Sequence, residues 1–193
     1  MRTRLRVLTT AATSAAVLMA VPGVSGMSAQ PAQTSAQVRP DVIWVPTEDE
    51  VVTAMLTLAR VTKDDVVYDL GCGDGKIVIA AAKQFGARGV GIDVDPVRVK
   101  EARANVVRAG VADRVTIIEG NIFDPAVKIG DATVVTLYLL ESLNIKLRPR
   151  LQAELRPGTR IVSNAFHMGD AWPPEKSQPA GYSNIYFWTI QKR

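Results

Sequence analysis

The chain has 193 residues, 47% of them hydrophobic and 22% charged, with one cysteine and one histidine. That composition excludes a disordered or collagen-like chain, a disulfide framework, and a zinc site built from the usual nitrogen and sulfur ligands. The net charge of +4 invites a nucleic-acid reading, but residues 1–36 hold Arg2, Arg4 and Arg6 and no acid; the remaining 20 basic side chains face 19 acidic ones and leave +1, too little for a nucleic-acid footprint.

The first element in chain order is a leader, residues 1–36. MRTRLR precedes the uncharged stretch VLTTAATSAAVLMAV, Pro22 and Gly23 then break any helix, and small residues run on to Gln37. A basic start, an apolar stretch of about fifteen residues and small residues after it form the pattern of an export signal, with Val24-Ser25-Gly26 and Thr34-Ser35-Ala36 both suited to cleavage. A membrane anchor and a mitochondrial presequence are the alternatives. The stretch is short for a ~30 Å hydrocarbon core and carries Thr9, Thr10, Thr13 and Ser14, so no stable span is expected. A presequence distributes arginine along an amphipathic helix, whereas all three arginines here precede residue 7.

A single domain is expected over 37–193. Thr47-Glu48-Asp49-Glu50 reads as a capping box with Thr47 as N-cap, opening a helix to about Arg60. Asp65–Leu70 is a buried strand, and a helix over Lys76–Phe85 stops at Gly86. Gly89–Asp93 is a second strand, followed by a helix from Asp95-Pro96 to Ala109 with Pro96 in its first position. Val115–Glu119 and Ala132–Leu137 are the third and fourth strands. Leu140–Leu155 reads as a helix interrupted near Pro149. Thr159–Ala165 is a fifth strand and Asn184–Ile190 the last. Strands alternating with helices of 10–15 residues imply an α/β fold with a Rossmann-like, doubly wound and mostly parallel sheet, its last strand antiparallel.

The segment VVYDLGCGDGKIVI, residues 66–79, carries the chemistry. A strand feeds Gly71, Gly73 and Gly75, which let the turn take positive φ and let a ligand approach the backbone. The spacing G-x-G-x-G is not the G-x-G-x-x-G of dinucleotide folds. Asp69 and Asp74 flank the turn; beside a pyrophosphate they would repel, and beside the ammonium and sulfonium groups of S-adenosylmethionine they attract. Asp93, at the tip of the second strand about twenty residues on, is placed to accept hydrogen bonds from both ribose hydroxyls.

DLGCGDG, GIDVDP, EGNIFD and LRPGTRIVS, in that order, resemble the class I S-adenosylmethionine-dependent methyltransferases over roughly residues 44–166. More narrowly, WVPT, YDLGCGDGKIVIAAA and TLYLL resemble the small protein-lysine methyltransferases of the mitochondrial and bacterial type. The resemblance implies that Trp44, Val45, Pro46 and Thr47 form a loop closing over the cofactor. Asp69, Gly71, Gly73 and Gly75 would then line its methionine side, with Asp93 on the ribose and Val94 by the adenine. The family's acid near the adenine amino group falls on Asn121, whose amide oxygen can still accept from it. Many N-methyltransferases carry Asn/Asp-Pro-Pro-aromatic after the fourth strand; Thr136-Leu137-Tyr138-Leu139 matches only the aromatic. Tyr138 is the residue expected to line the acceptor mouth.

The expected activity is methylation of a protein lysine. A small-molecule O- or N-methyltransferase and a binding module without turnover are the alternatives. Cys72 between two glycines reads as a small filler and His167 as a loop histidine without catalytic duty. Trp172, Tyr186, Phe187 and Trp188 read as core, and Arg148, Arg150 and Arg156 as a solvated helix face.

Overall fold

The computed structural model describes residues 45–192, all inside the second of two compact units, Gln37–Arg193. The leader and Trp44 lie outside the described residues. In chain order the elements are α1 (Asp49–Leu58), β1 (Val66–Leu70), α2 (Lys76–Phe85), β2 (Arg88–Asp93), α3 (Pro96–Ala109), β3 (Val115–Glu119), β4 (Val134–Leu137), α4 (Glu141–Glu154), β5 (Arg160–Asn164), β6 (Lys176–Ala180) and β7 (Ser183–Thr189). One sheet holds the strands in the order β3-β2-β1-β4-β5-β7-β6. β1 to β5 are mutually parallel, and β7 runs antiparallel to both β5 and β6. The order reverses between β1 and β4, and ligands of open α/β sheets sit beyond the carboxyl ends of the strands at such a point.

The inner strands are buried on both faces because apolar residues fill both. On one face Val67, Val134 and Val162 pack with Met55 and Leu56 of α1 and Ile77 and Ala81 of α2. The other face places Leu70, Leu137 and Ile161 against Leu147 and Leu151 of α4, with Trp188 of β7 fully buried among them. α3 joins α2 over β3 through Val99, Ala102 and Val106. No helix among the described residues is long and apolar enough to cross a membrane.

Four expectations need correction. The N-cap of α1 is Glu48 and its side chain makes no cap bond; Thr47 sits one residue earlier, where its carbonyl accepts from Lys76 Nζ at 2.7 Å, so that tether rather than a capping box sets where the chain enters the helix. α4 runs unbroken through Pro149, because Pro149 and Ile145, the residue whose carbonyl loses its partner, are both exposed and water can meet the vacancy. A sixth strand, Lys176–Ala180, pairs with β7 as a hairpin. It carries no apolar alternation because four of its five residues are exposed. Arg150 is not solvated: it donates to the carbonyls of Ile122 and Val127 and pairs with Glu154 at 2.8 Å, clamping α4 to the β3–β4 connection. Arg148 donates to the Met168 carbonyl at 2.9 Å, and only Arg156, paired with Asp131 at 2.7 Å, is an exposed ion pair.

Candidate functional site

β1 delivers Asp69 and Leu70 to the carboxyl edge, and the chain turns through Gly71, Gly73 and Gly75 with φ of 90°, 53° and 80°. At two of these positions a side chain would be strained by the positive φ and crowded by a neighbour. A Cβ on Gly71 would lie 2.9 Å from Leu139 Cδ2, and one on Gly75 3.2 Å from the Cβ of Ala102 in α3. The turn is anchored on β2, since the amides of Gly71 and Cys72 both donate to the Ile92 carbonyl at 2.8 and 3.0 Å. Cys72 packs where a Gly91 Cβ would otherwise be, its Sγ 2.8 Å from that position. Burial raises the Cys72 thiol far above its ordinary value, so it is filler and no nucleophile.

The second strand tip closes on the same turn. Asp93 accepts from the Gly73 amide through Oδ2 at 2.8 Å and from the Asp95 amide through Oδ1 at 3.0 Å. Asp95, not Asp93, caps α3, accepting from the Val97 amide at 2.8 Å. Each Asp93 oxygen keeps a lone pair for a ribose hydroxyl. The Gly120 amide donates to the Asp93 carbonyl at 2.8 Å, which brings the half-buried Val94 and Asn121 to one side of the turn. Asn121 Oδ1 already accepts from the Phe123 amide at 2.9 Å, leaving its second lone pair for an adenine amine. Asp93→Ala is expected to weaken cofactor binding by roughly 1.5–3 kcal/mol, the range for hydrogen bonds to a charged group. Calorimetric titration checks it, and an unchanged dissociation constant would leave Asp93 as a brace for the turn alone.

Asp69 is 3% exposed and accepts from Thr136 Oγ1 of β4 at 2.8 Å. Burial pushes its carboxyl up to about 7; the Thr136 hydrogen bond pulls the other way, and the charges of Asp93 and Asp74 push it further. Lys76, next to the turn in sequence, turns its Nζ to Asp49 at 3.2 Å and the Thr47 carbonyl instead. That tether draws Val45, Pro46 and Thr47 to the start of α2. Three carboxylates without a cation among them suit a positively charged ligand, and the donor set fits S-adenosylmethionine.

On the other side of the reversal point, Leu137 pairs with Leu70 and Ser163, so Tyr138 emerges half-buried at the same edge. Sequence reasoning missed the residues around it. Thr136 gave the signal of a polar residue in an apolar strand. Asn144, fully buried in α4, donates from Nδ2 to Ser163 Oγ and to the Phe166 carbonyl at 3.2 Å each, and leaves its Oδ1 without a partner. It thereby holds the loop after β5, where Ala165 takes a φ of 63°. His167 in that loop accepts from the Gly169 amide through Nδ1 at 3.0 Å, 3.3 Å from Glu141 Oε1. Trp188 and Phe187 are core, and Trp172 caps the cluster with its carbonyl accepting from Trp188 Nε1 at 2.9 Å.

A seven-stranded sheet in this order, with a glycine turn after its first strand and acids at the tips of its first two, defines an S-adenosylmethionine-dependent methyltransferase. Residues 69–176 match the ANTKMT methyltransferase domain, and the chain belongs to that family. It is similar to a protein-lysine N-methyltransferase of Saccharolobus islandicus (strain REY15A), 48% identical over 138 residues that cover 71% of this chain and 84% of the relative. It is also similar to the adenine nucleotide translocase lysine N-methyltransferase of Mus musculus, 31% identical over 173 residues, 89% of this chain and 73% of the relative. Among solved structures it superposes on an RNA methyltransferase from Salinibacter ruber in complex with S-adenosyl-L-homocysteine, with a TM-score of 0.74 and 52% identity over 77% of this chain and 95% of that one.

Proposed function

We propose that the chain N-methylates a lysine of a protein substrate. The observation that carries this reading is the acceptor mouth: only Tyr138, Leu139 and Leu140 separate β4 from α4, so no segment is inserted between these two elements to enclose a small acceptor. The two lysine-methylating relatives support it. The edge also carries Asp74, Asp93, Asp95, Glu119 and Glu141 at or just beyond the ends of β1 to β4. Those acids disfavour a phosphate backbone, which weighs against RNA as the acceptor.

Bound S-adenosylmethionine supplies an electrophilic methyl group whose leaving group is a neutral thioether, so no acid is required. The chain's own work is positioning and drying the mouth. Asp69 and the glycine turn would orient the cationic end of the donor, and Asp93 would hold the ribose. Val45, Pro46 and Thr47, drawn in by Lys76, cover it. The amine has to arrive unprotonated, and the apolar walls of Tyr138, Leu139 and Leu140 favour that by lowering a lysine pKa.

Incubating the full chain with methyl-labelled donor and separate protein and RNA fractions tests the reading. Label should enter protease-sensitive material and hydrolyse to N-methyl-lysine; label confined to RNA would overturn it. We further propose that residues 1–36 direct the chain out of the cytoplasm, which a reporter fused to them and retained in the cytosol would refute.

A further inference from the structure

The β6–β7 hairpin turns at the same edge of the sheet as the glycine turn, because β7 begins where β5 ends and Asn164 pairs with Ile185. At its tip Tyr182 is 100% exposed. A phenol ring standing wholly in water is an uncovered amphipathic surface, the kind of side chain that anchors protein interfaces. It stands beside acid. Glu48 Oε2 lies 3.3 Å and Val51 Cγ2 3.1 Å from where a Gly181 Cβ would be, so the tip rests on the start of α1. Glu48 is exposed and enters no ion pair among the described residues. A second patch of the same kind lies at the end of β4, where Leu140 is 41% exposed and Glu141 is partly exposed beside it.

Along the sheet Tyr182 and Tyr138 are separated by β5 and β7, while the starts of α1 and α4 beside them lie on opposite faces. Two to three strand spacings make roughly 10–15 Å, the span of three or four residues of extended chain. Tyr138 lies at the nearer end of that span. At the opposite edge the charges are balanced: Arg160 pairs with Asp65 and Arg114 with Asp113 at 3.4 Å. The acidic carboxyl edge therefore is the one that steers a basic partner during encounter.

We propose that Tyr182 and Glu48 form a docking surface for an extended, basic and partly apolar segment of the protein substrate, whose acceptor lysine reaches Tyr138 three or four residues away. The inference rests on the lysine reading above and adds the surface that selects the segment. An apolar anchor beside a carboxylate at each end complements a lysine flanked by apolar residues. A nucleic acid would meet like charge here.

The test uses the full chain and two probes, a fluorescein-labelled 12-residue peptide of lysine, leucine and glycine, and Nα-acetyl-lysine amide. Anisotropy should show the wild-type chain binding the peptide, Tyr182→Ser weakening it about ten-fold or more, and Glu48→Gln several-fold at low salt with the loss fading as salt rises. Both variants should keep wild-type affinity for S-adenosylmethionine and wild-type transfer to Nα-acetyl-lysine amide, which excludes a folding defect. A wild-type chain that does not bind the peptide overturns the proposal, as do variants that bind it normally. Self-association of the chain that Tyr182→Ser abolishes would also overturn it, assigning the surface to a second copy. Peptide methylation that survives in both variants with unchanged KM removes the docking surface and leaves the lysine reading standing, whereas label entering RNA alone removes the lysine reading itself.

Discussion

Asp69→Ala is expected to weaken S-adenosylmethionine binding by about 100-fold or more, the largest effect of any single change at the site. Removing one partner of a buried charge pair costs about 3–5 kcal/mol, and each 1.4 kcal/mol is about ten-fold in affinity. The same carboxyl makes binding depend on pH. Burial holds Asp69 up at about 7 in the unliganded chain, and a cation beside it favours the ionised form. Affinity should therefore rise with pH up to about 7 and level off above it. Stability of the unliganded chain runs the other way. Asp69 in the folded chain binds its proton more tightly than at the ordinary value of 3.8, so its contribution is fully present below about 4 and lost as pH rises through about 7. Asp65, which burial pushes up but which Thr133, Thr62 and Arg160 hold below the ordinary range, titrates beneath that window. Calorimetric titration from about pH 5.5 to 8.5, with melting curves at each pH, checks both trends. A flat affinity profile in the wild type would show that Asp69 does not face the cationic end of the donor.

Tyr138→Ala is expected to lower turnover about 100-fold while cofactor affinity stays within about two-fold, because a ~1 Å misplacement of reacting groups costs about that much in rate. The geometry points to positioning: Leu137 is in register with Leu70, and the next residues pass so close to the turn that a Cβ on Gly71 would strike Leu139. That register puts Tyr138 at the carboxyl edge beside the glycine turn, where the proposed acceptor mouth would lie. Tyr138→Phe should keep most of the rate, since the ring and not the hydroxyl excludes water. If the residue instead packs on α4 with its neighbours, the alanine variant will melt lower while its folded fraction turns over normally. Single-turnover rates and melting temperatures on one preparation separate the two outcomes.

What could be read from the amino acids alone follows the physics of each segment. The β1 turn, β2 and α3 announced themselves because their constraints are local: glycines at positive φ, an acid at a strand tip, and Pro96 after the Asp95 cap. β6 left no such mark, since KSQPA is an exposed edge strand whose order comes from pairing with β7 rather than from burial. Arg150 looked like a surface residue because a guanidinium clamped to the carbonyls of Ile122 and Val127 has the same sequence context as one in water. Thr47 carried a capping pattern that Lys76 overrode from 29 positions away. Asn144 could not be found at all, because its partners lie in the loop after β5 and no spacing along α4 reveals them.

The sheet ends in β3 on one side and β6 on the other, and each outer strand would offer a row of unpaired amides and carbonyls to a neighbouring molecule. Both are only five residues long. β6 carries Lys176 and Pro179, a charge and a position without an amide proton, so a foreign strand finds neither a neutral nor a continuous template there. β3 is the weaker guard, with Ile118 36% exposed, only Glu119 charged, and Arg103 of α3 covering just the Ile117 carbonyl. If the chain aggregates through strand addition, growth should start at β3, and a lysine in place of Ile118 should slow it.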